Sequence, residues 1–229
     1  MKTIGLIGGM SWESTTTYYQ MINRGIKMAL GKNHSAKIIM ISVDFQEIAT
    51  LQHDNKWDEL SILMTNASKK LEVAGADCVV LCTNTMHLLA TDIQNAIKIP
   101  FLHIADAIAK ETVRLKLSKV ALLGTKFTME KDFLKSRLEN NNVEVIIPDE
   151  FERQSVHDII YNELTKGILD DNSRNRYLEI LESLQTRGAE AIILGCTEIG
   201  LLVSDKNTDC VLIDSTAVHA QAAIDFALS

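Results

Sequence analysis

Cys196 is the residue whose type and position best fit acid–base chemistry. It follows the apolar run 191–194, with Gly195 between them and Thr197-Glu198 after it. The run is typical of a buried strand, and the residues after it predict the start of a helix. A cysteine at a helix N-terminus feels the positive end of the helix dipole, which lowers the thiol pKa and favours the thiolate. The sequence therefore predicts a thiolate base at Cys196, with a buried structural cysteine as the alternative interpretation.

Thr83 is the counterpart of Cys196 in an internal repeat. Segment 75–84 aligns without a gap on segment 188–197, an offset of 113 residues (188 − 75), which pairs Thr83 with Cys196. Two further matches keep the same order: 4–8 on 120–124, offset 116 (120 − 4), and 101–108 on 211–218, offset 110 (211 − 101). Three matches with nearly equal offsets indicate duplication of a four-strand βα unit.

Short apolar runs alternate with longer segments of helical periodicity, which predicts an α/β fold with parallel sheets covered by helices. The predicted strands are 3–7, 37–43, 78–81, 101–104, 120–123, 143–147, 191–194 and 211–213. The duplication predicts two similar α/β domains related by a pseudo-twofold. We expect the first domain to comprise residues 1–98 together with 208–229, which include a returning C-terminal helix. We expect the second domain to comprise residues 99–207. Because open α/β sheets bind ligands at the carboxyl ends of their strands, we expect the active-site cleft between the two domains.

The composition and net charge of the chain exclude some classes of binding partner. The chain has 229 residues, 46% of them hydrophobic, and a net charge of −7 without basic clusters, which argues against nucleic acid and anionic membranes as partners. Its longest apolar runs are far shorter than a membrane-spanning helix requires. The four cysteines are spread through apolar segments and no export signal precedes them, so we expect reduced thiols and a cytoplasmic protein.

Three segments resemble the signature segments of the aspartate/glutamate racemase family: GCTEI at 195–199, TNTMH at 83–87 and GLIGGMSWES at 5–14. The similarity covers the whole chain. The resemblance implies an isomerase, an amino-acid racemase in which one cysteine from each half flanks the α-carbon of the substrate. One thiolate removes the α-proton, and the opposite thiol returns a proton to the other face. The resemblance also implies that no pyridoxal phosphate or other cofactor and no metal are used, and that the protein forms a homodimer.

The chain departs from this family pattern at one catalytic position. Most members have Cys-Asn-Thr where this chain has Thr83-Asn84-Thr85, and the internal repeat independently pairs Thr83 with Cys196. An alcohol is a much weaker acid than a thiol, whose reference pKa is about 8.5, so Thr83 can hold a proton but is a poor base. Cys82 lies next to it, but strand alternation points the two side chains to opposite sides and predicts that Cys82 belongs to the core. We therefore expect the two faces of the site to be inequivalent.

Polar side chains near these two positions are candidates for binding the substrate. Asn84 and Thr85 follow Thr83, and Thr197 and Glu198 follow Cys196, where the α-carboxylate and ammonium groups of an amino acid would lie. Helix capping is the alternative role of each, and both roles are compatible.

The resemblance adds three residues to the predicted pocket: Met10, through its backbone, Gln52 and Lys166. Lys166 matches a family lysine that neutralises the distal carboxylate of aspartate or glutamate. A solvated lysine near a helix C-terminus is its alternative interpretation.

Glycines and histidines provide weaker signals. The glycines at 5, 8 and 9 follow G-x-x-G-G rather than a dinucleotide-binding pattern, and the six histidines lack metal-ligand spacing with the cysteines. His87 lies four residues after Thr83, so it could tune the site, with helix packing as the alternative.

The sequence thus favours an aspartate or glutamate racemase, or an amino-acid racemase of broader specificity, with Cys196 and Thr83 as catalytic residues. Two alternatives remain. One is a related cleft enzyme of the hydantoin racemase, malonate decarboxylase or maleate isomerase type. The other is an amino-acid-binding protein with weakened catalysis, for which Thr83 in place of cysteine is the supporting feature.

Overall fold

The computed structural model describes all 229 residues, which divide into two compact units. The first unit comprises Met1–His103 and His219–Ser229, and the second comprises Ile104–Val218. No helix is both long enough and apolar enough to span a membrane.

The first unit is built on a four-stranded parallel sheet with the order β2-β1-β3-β4. Its strands are β1 (Thr3–Gly8), β2 (Lys37–Ser42), β3 (Cys78–Leu81) and β4 (Phe101–Leu102). Its helices are α1 (Trp12–Leu30), α2 (Phe45–His53), α3 (Trp57–Val73) and α4 (Ala90–Ala96), and a 3₁₀ helix covers Thr85–Leu89.

The second unit has a parallel sheet of the same size, with the order β6-β5-β7-β8. Its strands are β5 (Lys119–Gly124), β6 (Glu144–Ile146), β7 (Ala191–Gly195) and β8 (Leu212–Asp214). The helices are α5 (Ile104–Arg114), α6 (Lys126–Glu130), α7 (Asp132–Glu139), α8 (Glu150–Asn162), α9 (Asp171–Thr186) and α10 (Ile199–Leu202), with a 3₁₀ helix at Leu164–Lys166. The last helix, α11 (Ser215–Leu228), begins in the second unit, and its residues from His219 onward belong to the first.

The strand orders match when β1–β4 are equated with β5–β8, as the internal repeat predicts. All eight predicted strands form. The units differ from the domain bounds expected from the sequence, which assigned 101–102 to the second domain and 212–214 to the first. Backbone pairing explains the difference, because β4 bonds to β3 through the pair Val79↔Phe101, and β8 bonds to β7 through Ile192↔Leu212.

Both faces of each sheet are covered by apolar side chains, so the central strands β3 and β7 are buried along their whole length. In β3, Val79 and Leu81 pack on the face covered by α3, while Cys78 and Val80 pack on the other face with α1 and α11. Cys82 is fully buried in this second layer, which confirms the prediction that it is a core residue.

Candidate active site

The turn after β1 places Met10 at the carboxyl edge of the first sheet. Gly9 has φ +93°, and a Cβ added there would overlap the Val43 carbonyl oxygen, so only glycine fits. The Gly9 N–H donates to Thr15 Oγ1 at 2.8 Å, and that hydroxyl donates to the Ser11 carbonyl at 2.9 Å. The start of α1 thereby fixes the turn, and Met10 is buried.

Thr83, Asn84 and Thr85 follow β3 at the same edge, since Leu81 of β3 pairs directly with Ile7 of β1. Thr83 is partly buried, and Asn84 and Thr85 are buried. The Thr83 N–H donates to the Leu81 carbonyl at 2.9 Å. The strand end thus leads directly into a tight, buried polar turn.

Gln52 reaches this region from α2. It is buried, and its Nε2 donates to the sulfur of Met86 at 3.1 Å, one residue after Thr85. Met10 and Met86 belong to the same apolar cluster. The structure therefore brings together the five predicted site residues of the first unit: Met10, Gln52, Thr83, Asn84 and Thr85.

In the second unit, Cys196 comes directly after β7, at the position equivalent to Thr83. Its Sγ donates a hydrogen bond to Glu198 Oε2 at 3.0 Å. Cys196 and Thr197 are partly buried, and Glu198 is buried. The loop therefore holds a thiol and a carboxylate in direct contact.

The expectation that a helix dipole lowers the thiol pKa is wrong. Helix α10 has only four residues and begins at Ile199, three positions after Cys196, and the dipole of so short a helix is small. Burial raises the pKa of the Cys196 thiol well above its usual value, and the charge and hydrogen bond of Glu198 raise it further. The thiol is therefore protonated in its resting form.

Two tyrosines near this pair were not singled out from the sequence. Burial raises the pKa of Tyr161 on α8 to about 12, and the charges of Cys196 and Glu198 act in the same direction. Tyr177 on α9 has its pKa raised well above the usual value, chiefly by burial, and its hydroxyl donates to the Val156 carbonyl at 3.3 Å. Both are far from Cys196 in sequence, so no local pattern connects them with it. They give the thiol neutral aromatic surroundings.

Lys166 ends the 3₁₀ helix Leu164–Lys166, before Gly167 with φ +73°. Its side chain is exposed, and its backbone N–H donates to the Glu163 carbonyl at 2.9 Å. Of the site residues predicted in the second unit, the loop after β7 joins Cys196, Thr197 and Glu198, whereas Lys166 lies on a separate segment.

The fold and these strand-end residues define a class of enzyme. A model of the Asp/Glu/Hydantoin racemase family matches residues 7–223, so the chain belongs to this family. It is therefore an isomerase of the racemase type.

The chain is also similar to individual members of this family. The chain is similar to the broad specificity amino-acid racemase RacX of Bacillus subtilis, with 25% identity over 229 residues and 96% of each protein covered. A crystal structure of a proposed Asp/Glu racemase from Yersinia pestis shares 49% identity and superposes with a TM-score of 0.94, each chain being covered completely. A crystal structure of an aspartate racemase homologue from Pyrococcus horikoshii shares 33% identity with a TM-score of 0.85, again over the whole of both chains.

Proposed function

We propose that the protein interconverts the L and D forms of aspartate or glutamate without pyridoxal phosphate, using Cys196 as the base. The observation that carries the proposal is the hydrogen bond from Cys196 Sγ to the buried Glu198 carboxylate at 3.0 Å, at the end of a central strand. The carboxylate can accept the thiol proton, and the thiolate that results is the base proposed for removal of the α-proton.

The proposed reaction begins when the thiol proton passes to Glu198. The Cys196 thiolate then takes the α-proton, so the Cα–H bond breaks, an S–H bond forms, and the electron pair delocalises into the substrate carboxylate. Return of a proton from Cys196 regenerates the same enantiomer, whereas protonation of the other face inverts it. Thr83, at the matching strand end of the first sheet, is the proposed donor for that face. Its alkoxide regains a proton from solvent, and Glu198 releases the proton it took from the thiol to solvent, which restores the resting enzyme.

Substrate binding is proposed for the remaining polar residues at the strand ends. The amide of Asn84 and the hydroxyls of Thr85 and Thr197 suit the α-carboxylate, while the negative charge of Glu198 attracts the ammonium group before the thiol proton moves.

Met10, through its backbone, and Gln52 complete the proposed pocket. Lys166 is proposed to pair with the distal carboxylate, which favours the acidic amino acids as substrates.

Thr83 also favours a second candidate function, an amino-acid-binding protein with weakened catalysis. A single alcohol in place of the second thiol would slow inversion and leave binding intact. The name of the Bacillus relative, in turn, favours a broader range of amino acids within the racemase proposal.

The test is to incubate the purified protein with each enantiomer of aspartate and glutamate in D2O. Loss of the α-proton is followed by NMR, and inversion by chiral chromatography. We expect exchange that persists with a chelator and with carbonyl reagents, and that falls by at least about 10²-fold in Cys196→Ala. Cys82→Ala is the matched control, because Cys82 is a buried thiol of the core.

Binding without exchange would support the second candidate. Undiminished exchange in Cys196→Ala would refute the thiolate mechanism.

A further inference from the structure

Three buried histidines lie next to the Thr83 turn of the first unit, where His87 contacts both His103 and His219. The ring centroids of His87 and His103 are 4.7 Å apart, and those of His87 and His219 are 5.6 Å apart. A buried imidazole is costly unless its ring nitrogens have hydrogen-bond partners, so the partners of this cluster indicate its role.

His87 contacts the candidate catalytic residue Thr83 through its backbone. Nδ1 of His87 lies 2.8 Å from the Thr83 carbonyl oxygen. Because a carbonyl can only accept, Nδ1 must carry a proton and donate. Burial, with His103 and His219 as neighbours, lowers the pKa of His87 well below its usual value, so the ring is neutral and its tautomer is fixed by this bond.

His219 immobilises the ring of His87 from behind. Its Nε2 donates to the Leu102 carbonyl at 2.7 Å, and its Nδ1 accepts from the Tyr18 hydroxyl at 2.9 Å. Both ring nitrogens are therefore used by β4 and α1, and the ring cannot rotate without losing a bond. His87 consequently packs on a rigid surface, which preorganises its donor.

The bond from His87 Nδ1 joins the turn at Thr83 to the short 3₁₀ helix that follows it. The 3₁₀ helix after Thr83 has only five residues, and its first backbone bond runs from the His87 N–H to the Asn84 carbonyl at 3.0 Å. Misplacing a reacting group by about 1 Å can cost about 10²-fold in rate. A side-chain bond to the Thr83 carbonyl is well suited to prevent such movement.

We propose that His87 is a positioning residue that fixes the Thr83 backbone, and with it the hydroxyl, for proton transfer to one face of the substrate. The inference rests on the proposed racemase function. It separates two reactions of the same enzyme: inversion, which needs Thr83, and exchange with retention, which Cys196 and Glu198 perform without Thr83.

The experiment compares His87→Leu with His87→Asn in D2O, using the enantiomer that the unaltered enzyme exchanges faster. Leucine removes the donor, whereas the asparagine amide nitrogen occupies a place close to Nδ1. We expect His87→Leu to lose about ten- to a hundredfold in inversion, with exchange at retained configuration unchanged. We expect His87→Asn to restore most of the inversion.

His53→Leu is the matched control. His53 Nδ1 makes the same bond to a carbonyl four residues earlier, that of Ala49 at 2.7 Å, but on an exposed helix end. We expect this variant to leave both reactions unchanged. If His87→Leu does not fold, His87→Gln replaces it, because its amide nitrogen mimics Nε2 rather than Nδ1, and the same loss of inversion is expected.

Equal loss of both reactions in the His87 variant, no loss in either, or a folded His87→Asn without inversion would overturn the proposal. Absence of exchange in the unaltered protein would instead refute the racemase function itself, so the two failures are distinguishable.

Discussion

The Cys196 thiol donates a hydrogen bond to the Glu198 carboxylate across 3.0 Å, within a three-residue stretch of one loop. In the proposed mechanism the thiolate forms as Glu198 takes up the thiol proton, because a second negative charge on the same buried loop is unfavourable. Proton abstraction then depends on Glu198, and this dependence can be measured.

Replacing Glu198 with glutamine should lower the pKa of the Cys196 thiol, because the change removes the negative charge that opposes ionisation. We expect alkylation of Cys196 by iodoacetamide to reach its half-maximal rate at a lower pH than in the unaltered protein. Racemisation should nevertheless fall, since the amide cannot accept the thiol proton.

The control for this prediction is Glu182→Gln, at an exposed position on α9. It should change neither the alkylation profile nor the turnover. An unshifted alkylation profile in Glu198→Gln would show that the carboxylate does not control the thiol.

The strands, and the position of the candidate site residues at their ends, were predictable from the sequence. Runs such as 78–81 and 191–194 are apolar throughout because both of their faces are buried, and this pattern requires no knowledge of the tertiary structure. The repeat then identified Thr83 and Cys196 as equivalent ends of matching strands. Local patterns were sufficient for these conclusions.

The protonation state of Cys196 and the support of Thr83 were not predictable in the same way. The sign of the thiol pKa shift depends on burial and on the orientation of the Glu198 side chain, which outweigh the weak dipole of a four-residue helix. The bond between Tyr18 and His219 joins residues 201 positions apart, and no local pattern reports such a contact. The domain bounds likewise depend on the strands with which β4 and β8 pair, and no local pattern reports this pairing.

Gly9→Ala should destabilise the first unit more than Gly75→Ala. The two glycines have nearly the same φ, +93° and +94°, so alanine incurs a similar backbone strain of about 1–3 kcal/mol at each position. Only at Gly9 would the new Cβ overlap another group, the Val43 carbonyl, whereas Gly75 has nothing within 4 Å. We expect a further loss of about 1–3 kcal/mol for Gly9→Ala, measured by urea denaturation. Equal losses would mean that the turn relaxes freely around the new methyl group.

The free energy of unfolding should fall as the pH rises from 9 towards 12, in part through Cys78. Burial raises the pKa of its thiol from 9.0 to about 12, so the unfolded chain releases this proton near pH 9 while the native protein retains it. The thiol therefore stabilises the fold below pH 9, and each further pH unit removes about 1.4 kcal/mol until the native group ionises.

Cys78→Ala should be less stable at neutral pH but should show a shallower decline above pH 9. Urea denaturation at several alkaline pH values measures both slopes. The cavity left by Cys78→Ala lowers stability by the same amount at every pH, and other buried groups such as Tyr161 contribute equally to both proteins. The difference between the two slopes therefore reports Cys78. Parallel declines in the two proteins would contradict a retained proton on Cys78.

Changing Thr83 to cysteine should accelerate inversion, because a thiol is a far stronger acid than an alcohol and can both give and take a proton on its face. Thr83→Val, which keeps the shape and removes the hydroxyl, should abolish inversion while exchange with retention through Cys196 continues. The equilibrium ratio of the enantiomers stays at unity in every variant, since the two have equal free energies in water, so only the rates of approach change. Following α-deuterium incorporation and chirality in the same D2O reaction measures both rates for each enantiomer.

Inversion at the unaltered rate in Thr83→Val would show that another group serves that face. In that case Thr83→Val combined with Cys82→Ala would establish whether the neighbouring thiol is responsible.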